Sequence, residues 1–129
     1  MPMQRLKWFL IGMALALAAG CGPAAPTLAG GKPVSHWVEA LRDADPKKRE
    51  EAVEKLRNVG AADPAAFPAL VAALKDPSAR VRGAAILGFV KGGPAAKVAV
   101  PTLQDLKDHD PDPGVRDYAA RALKNIAGG

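Results

Sequence analysis

An aspartate followed six residues later by an arginine occurs three times, as Asp43 with Arg49, Asp76 with Arg82 and Asp110 with Arg116, and the pairs recur about every 33 residues. No other feature constrains the fold of this chain as strongly. Aligned on the arginines, the segments REEAVEKLRNVG, RGAAILGFVKGG and RDYAARALKNIAG place Ala52, Ala85 and Ala119 in one column and Leu56, Phe89 and Leu123 in another. Val53, Ile86 and Ala120 complete a stripe at i, i+1, i+4, which is one face of an α-helix. Upstream, AFPAL at 66–70 matches AVPTL at 99–103, and predicts a second helix in each unit with proline in its first turn. Each unit is then a helical hairpin. Helix A is expected near 35–42, 65–75 and 97–108, followed by a turn of the Asp-Pro kind and by helix B, which closes near a glycine. Gly60, Gly92 and Gly93 suit the left-handed position just after a helix. A hairpin of this size cannot bury its own apolar face, so adjacent units must stack.

These units resemble the HEAT repeats, in the short variety first recognised in phycobilisome lyases, whose pattern is near D-P-D-P-x-V-R-x-x-A-A-x-A-L. DPDPGVRDYAARAL in the third copy follows it closely. DPSARVRGAAILGF keeps Asp76, Pro77, Val81 and Arg82, whereas DADPKKREEAVEKL keeps Asp43, Asp45, Pro46 and Arg49 but puts Lys48 at the valine position. The resemblance covers 35–127 and implies an all-α fold: a short right-handed α-solenoid of about three hairpins within a domain at 35–129, with repeats near 35–60, 61–93 and 94–127. It also implies that Asp43, Asp76 and Asp110 form a polar ladder with Arg49, Arg82 and Arg116 between adjacent repeats. That role is structural rather than catalytic.

The N-terminus is of a different kind. Arg5 and Lys7 precede an uncharged run from Trp8 to Ala19, the layout of a secretory signal peptide at 1–20. The run is too short for a permanent span, which needs about 20 apolar residues to cross roughly 30 Å of hydrocarbon. It ends at Cys21, the single cysteine of the chain. Ala18-Ala19-Gly20-Cys21 resembles the lipobox of bacterial lipoproteins, with Ala18 where leucine is commonest. The resemblance implies a diacylglyceryl group on Cys21, and two acyl chains are what stable anchoring takes. The expected location is therefore outside the cytoplasm, on the periplasmic or cell-envelope side of a bacterial membrane. Residues 21–34 are rich in Gly, Pro and Ala without periodicity, and are expected to be a flexible linker reaching roughly 20 Å.

Charge and chemistry narrow the function. Without Arg5 and Lys7, sixteen basic side chains face thirteen acidic ones, a net charge of +3 that is too weak and too interspersed for a nucleic-acid footprint. One cysteine supports neither an intrachain disulfide framework nor a multi-cysteine zinc site. His36 and His109 have no serine, cysteine or acid at a spacing that a familiar mechanism uses, so they read as solvated histidines. DLKDHDPDPGVRD resembles a calcium loop only loosely: counted from Asp108, an EF-hand would need glycine sixth and glutamate twelfth, and Pro113 and Ala119 stand there. No metal and no cofactor are expected.

What remains is surface. In HEAT solenoids helix B lines the concave wall, and off its apolar stripe the first repeat carries Glu54 and Arg57, the third Arg121 and Lys124, and the middle one Leu87 and Val90. An apolar spot rimmed by charge marks a partner-binding surface; the competing reading, that Leu87 and Val90 simply pack on helix A, has the greater weight because apolar helix positions are usually core. The expectation is a membrane-tethered, non-enzymatic interaction or scaffold module for a protein partner. One rival is an enzyme or enzyme subunit, since HEAT-like solenoids include bilin lyases and DNA glycosylases, both acting on cytoplasmic substrates. The other is a subunit of a larger envelope assembly that buries His36 and Trp37 at one end and Ile126 at the other.

Overall fold

A computed structural model describes residues 25–128, so the signal-like segment and Cys21 lie outside the described residues. The elements are β1 (Leu28–Ala29), β2 (Lys32–Pro33), α1 (Val34–Ala40), α2 (Pro46–Val59), α3 (Ala66–Ala73), α4 (Ala79–Val90), α5 (Val100–His109) and α6 (Pro113–Ala127). Short 3₁₀ segments at Gly60–Ala62 and Gly93–Ala99 join one repeat to the next. Helices α1, α3 and α5 are the A helices of the three hairpins, and each packs on the B helix that follows it. The B helices also pack directly on one another in the order α2, α4, α6. The result is the all-α stack of hairpins that the repeat predicts.

Local chemistry explains where the B helices begin and end. Pro46 and Pro113 open α2 and α6, where a missing backbone N–H costs nothing. The carboxylates just before them cap the helices: Asp45 accepts from the Lys47 amide and Asp112 from the Val115 amide, both at 2.9 Å. Such caps contribute about 0.5–2 kcal/mol each. After α2 and α4 the chain turns through Gly60 and Gly93, at φ of 53° and 59°. Gly92 corrects the expectation for it, since its φ is −77° and any residue could adopt that backbone. Its glycine is needed for room: a Cβ there would stand 2.9 Å from Ala96 Cβ and 3.1 Å from the Phe67 ring.

The stripe read from the sequence forms the core. Ala52, Val53, Leu56, Ala85, Ile86, Phe89 and Ala119 are buried, and Phe67 stacks on Phe89 with ring centroids 5.5 Å apart. The pattern valines Val81 and Val115 are buried too, whereas Lys48, their counterpart at the open edge of the first repeat, is exposed.

The stretch expected as a linker is not all linker. Leu28–Ala29 pairs antiparallel with Lys32–Pro33 across Gly30 and Gly31, which both have positive φ, 56° and 80°. Two consecutive left-handed residues suit the tight turn whose twist matches paired strands, and a Gly-Gly pair supplies them without a steric cost. The hairpin lies on α1 and α2, and the Trp37 indole N–H donates to the Ala29 carbonyl at 2.7 Å. Trp37 is only 5% exposed, and the ammonium groups of Lys32 and Lys55 stand 5.4 and 5.9 Å from its ring. The first repeat is thus capped by the chain itself, and Trp37 needs no other protein to cover it.

Candidate functional site

The ladder runs between repeats in one direction. Arg49 Nε and Nη2 donate to Asp76 Oδ2 and Oδ1 at 2.8 and 3.1 Å, and Arg82 donates to Asp110 in the same way at 2.8 and 3.0 Å. These are bidentate, charge-assisted pairs, the strong kind of side-chain hydrogen bond. The third guanidinium nitrogen turns back. Arg49 Nη1 donates to the Asp43 and Ala44 carbonyls at 2.9 and 3.1 Å, and Arg82 Nη1 to those of Asp76 and Pro77 at 2.9 and 3.0 Å. The Asp76 and Asp110 carboxylates in turn each accept a backbone amide two residues on, from Ser78 and Asp112. Each arginine therefore ties its own turn and grips the next. The side-chain hydrogen bonds that Arg49 donates to Asp76 hold the Arg49 pKa above its ordinary value.

The ends of the ladder differ from its middle. Asp43 accepts the Asp45 amide at 2.9 Å and has Lys48 at 3.9 Å as its cation. Arg116 Nη1 donates to the Asp110 carbonyl at 2.6 Å, while no carboxylate meets its other edge among the described residues. Arg82 and Asp110 are the two buried charged side chains among the described residues, and no buried side-chain polar atom there lacks a partner. This cluster is satisfied and holds the stack together.

The B-helix wall carries an open depression of about 310 Å³ between α4 and α6. Gly83 makes its floor, with a Tyr118 ring carbon 3.6 Å from where a Cβ would be. Leu87 and Tyr118 flank it and are 44% and 43% exposed, which settles that Leu87 is a surface residue. Its rim is polar, with the Glu50–Arg80 ion pair (3.4 Å) at one edge and Asp112 at another. Of the partner-binding candidates only Leu87 lines this groove. Val90 is half-buried against the core and lines a different, smaller recess with Phe89, Pro94 and Ile126. Glu54, Arg121 and Lys124 are exposed outside the groove, Arg121 pairing with Asp117 at 2.8 Å, and Arg57 is half-buried with its stem beside Gly88. Tyr118 was missed because the aligned columns place it with Glu51 and Ala84, off the core stripe. The available signal was that the only tyrosine of the chain stands two residues after a ladder arginine.

The remaining polar candidates stay dispersed. His36 packs edge-on against Trp37 with its Nε2 3.4 Å from Lys32 Nζ, and His109 Nδ1 lies 3.1 Å from Asp105 one helical turn away, both on exposed surface. Among the described residues no three His, Cys, Asp or Glu side chains converge as metal ligands. In the acidic stretch Asp110 belongs to the ladder, Asp112 caps α6 and Asp108 accepts from Gln104 at 3.0 Å.

Stacked A–B hairpins joined by an arginine–aspartate ladder define an α-solenoid repeat protein. The chain belongs to the HEAT-repeat family, whose model matches residues 34–124. Among solved structures it is similar to the crystal structure of an engineered protein, with a TM-score of 0.55 and 28% identity over 74% of this chain and 47% of that one. The chain thus spans about half the length of that engineered protein. No curated protein matches it.

Proposed function

We propose that this protein is a lipid-anchored HEAT-repeat module, held through Cys21 on the periplasmic or envelope side of a bacterial membrane, which binds a protein partner and catalyses no reaction. The observation that carries the binding role is the groove between α4 and α6, with Leu87 and Tyr118 exposed on either side of Gly83. A soluble domain normally keeps such side chains apart on its surface, and an apolar centre inside a polar rim is how interfaces concentrate their energy. The groove suits one aliphatic or aromatic side chain of a partner, oriented by the Glu50–Arg80 pair. The anchor rests on Ala18-Ala19-Gly20-Cys21 and the signal-like segment before it.

The test is capture from detergent-solubilised bacterial envelopes with the lipidated protein as bait, read by mass spectrometry against a Leu87→Glu bait. A partner enriched by the native bait and lost with Leu87→Glu supports the reading. Identical capture by both baits places recognition elsewhere.

A further inference from the structure

The two ends of the stack are built differently. At the first repeat the β1–β2 hairpin covers Val34 and Trp37. At the last, Val100, Pro101, Leu123, Ile126 and Ala127 line an open apolar groove of about 600 Å³. Leu123 stands in the same column as Leu56 and Phe89, both 0% exposed, yet it is only half-buried. Arg116 repeats the contrast in charge. Like Arg49 and Arg82, it donates Nη1 to the carbonyl of its own turn aspartate, but its Nε–Nη2 edge meets no carboxylate among the described residues.

We propose that the end face formed by α5 and α6 is a docking site for a helical hairpin of a partner protein that carries an aspartate at its turn and seats as a fourth repeat. Its carboxylate grips Arg116 as Asp76 grips Arg49 and Asp110 grips Arg82, and its apolar helix face fills the groove at Leu123 and Ile126. Two arguments choose this occupant. The repeat-to-repeat interface occurs twice within the molecule and is continuous with this face, and the carboxylate it requires complements the guanidinium already positioned there. A second copy of this chain, stacked head to tail, would present an end that its own hairpin covers. The site is separate from the Leu87 groove and stands independently of it.

The probe is a hairpin known to satisfy the ladder: a second copy of residues 94–127 joined after Gly129 of the full chain. The extended protein should melt in one transition, about 5 °C above the parent. Asp110→Asn in the appended copy alone, and Arg116→Lys, should each remove half or more of that gain, with little further loss when combined. Leu87→Glu should leave the gain unchanged. A separate lower transition for the appended hairpin, or the same gain with and without its turn aspartate, would overturn the proposal. Sedimentation of the unextended chain supplies the other arm. A monomer at all concentrations supports a foreign hairpin, whereas a dimer dissolved by Ile126→Glu would put a second copy on the face and overturn the assignment.

Discussion

Arg82 passes over the carboxylate of its own turn and grips Asp110 one repeat ahead, with Nε and Nη2 at 2.8 and 3.0 Å from the two oxygens, while its Nη1 holds the carbonyls of Asp76 and Pro77. One side chain thus closes the turn within its repeat and the seam to the next. Since a solenoid has contacts only between neighbours, the seam decides whether the repeats melt as one unit.

Arg82→Ala should accordingly destabilise far more than Arg116→Ala. The first leaves the buried Asp110 carboxylate with only the Asp112 amide, and breaking a buried pair from one side costs about 3–5 kcal/mol. The second removes a bond from Arg116 to a carbonyl, on the order of 1 kcal/mol. Urea titrations of both variants give the order, and a reversed order would count against the seam as the main staple.

Trp37→Phe should loosen the N-terminal hairpin without unfolding the stack. Phenylalanine keeps most of the buried bulk but loses the bond to the Ala29 carbonyl, worth about 1 kcal/mol. Amide exchange should accelerate at residues 28–33 and stay unchanged in α4. Uniform acceleration would mean that the hairpin and the stack unfold together.

Gly92→Ala and Gly93→Ala should both destabilise, for different reasons. At Gly92 a methyl group collides with Phe67 and Ala96, an overpacking cost of about 1–3 kcal/mol. At Gly93 there is open space but φ is 59°, which costs an alanine about 1–2 kcal/mol. Adding Phe67→Leu should therefore recover part of the loss in the first variant and none in the second, as read by thermal melts.

Cys21→Ser should abolish incorporation of a fatty-acid analogue and either release the domain from membranes or leave it as an unprocessed precursor. Fractionation and gel mobility report both. Equal labelling of the variant would remove the lipoprotein reading.

Leu87→Glu should change folding stability by less than about 1 kcal/mol, because substitutions at a largely exposed position away from caps and core are mild. Loss of partner capture with an unchanged circular-dichroism melt would assign Leu87 to binding. A collapsed melt would assign it to packing.

The division between what was legible and what was not follows from the range of the forces involved. Helix periodicity, capping by Asp45 and Asp112, and the positive φ of Gly60 and Gly93 depend on residues a few positions apart, so the sequence by itself determined the three hairpins and the buried stripe. The 33-residue recurrence determined that they stack. Tertiary structure decided which partner each charge takes: the Asp43-to-Arg49 spacing visible in the chain is a carbonyl tie, and the carboxylate goes to an arginine 27 or 28 residues earlier. It also decided that Leu87 faces the open groove toward Tyr118 while Val90, likewise off the stripe, packs against the core beside Pro94 and Ile126. Gly92 shows the same limit, its need for glycine being set by a phenylalanine on another helix. Leu28 to Pro33 lacked any periodic signal because strands of two residues have no period, and what holds them on the stack is tertiary, including the bond from the Trp37 indole to the Ala29 carbonyl.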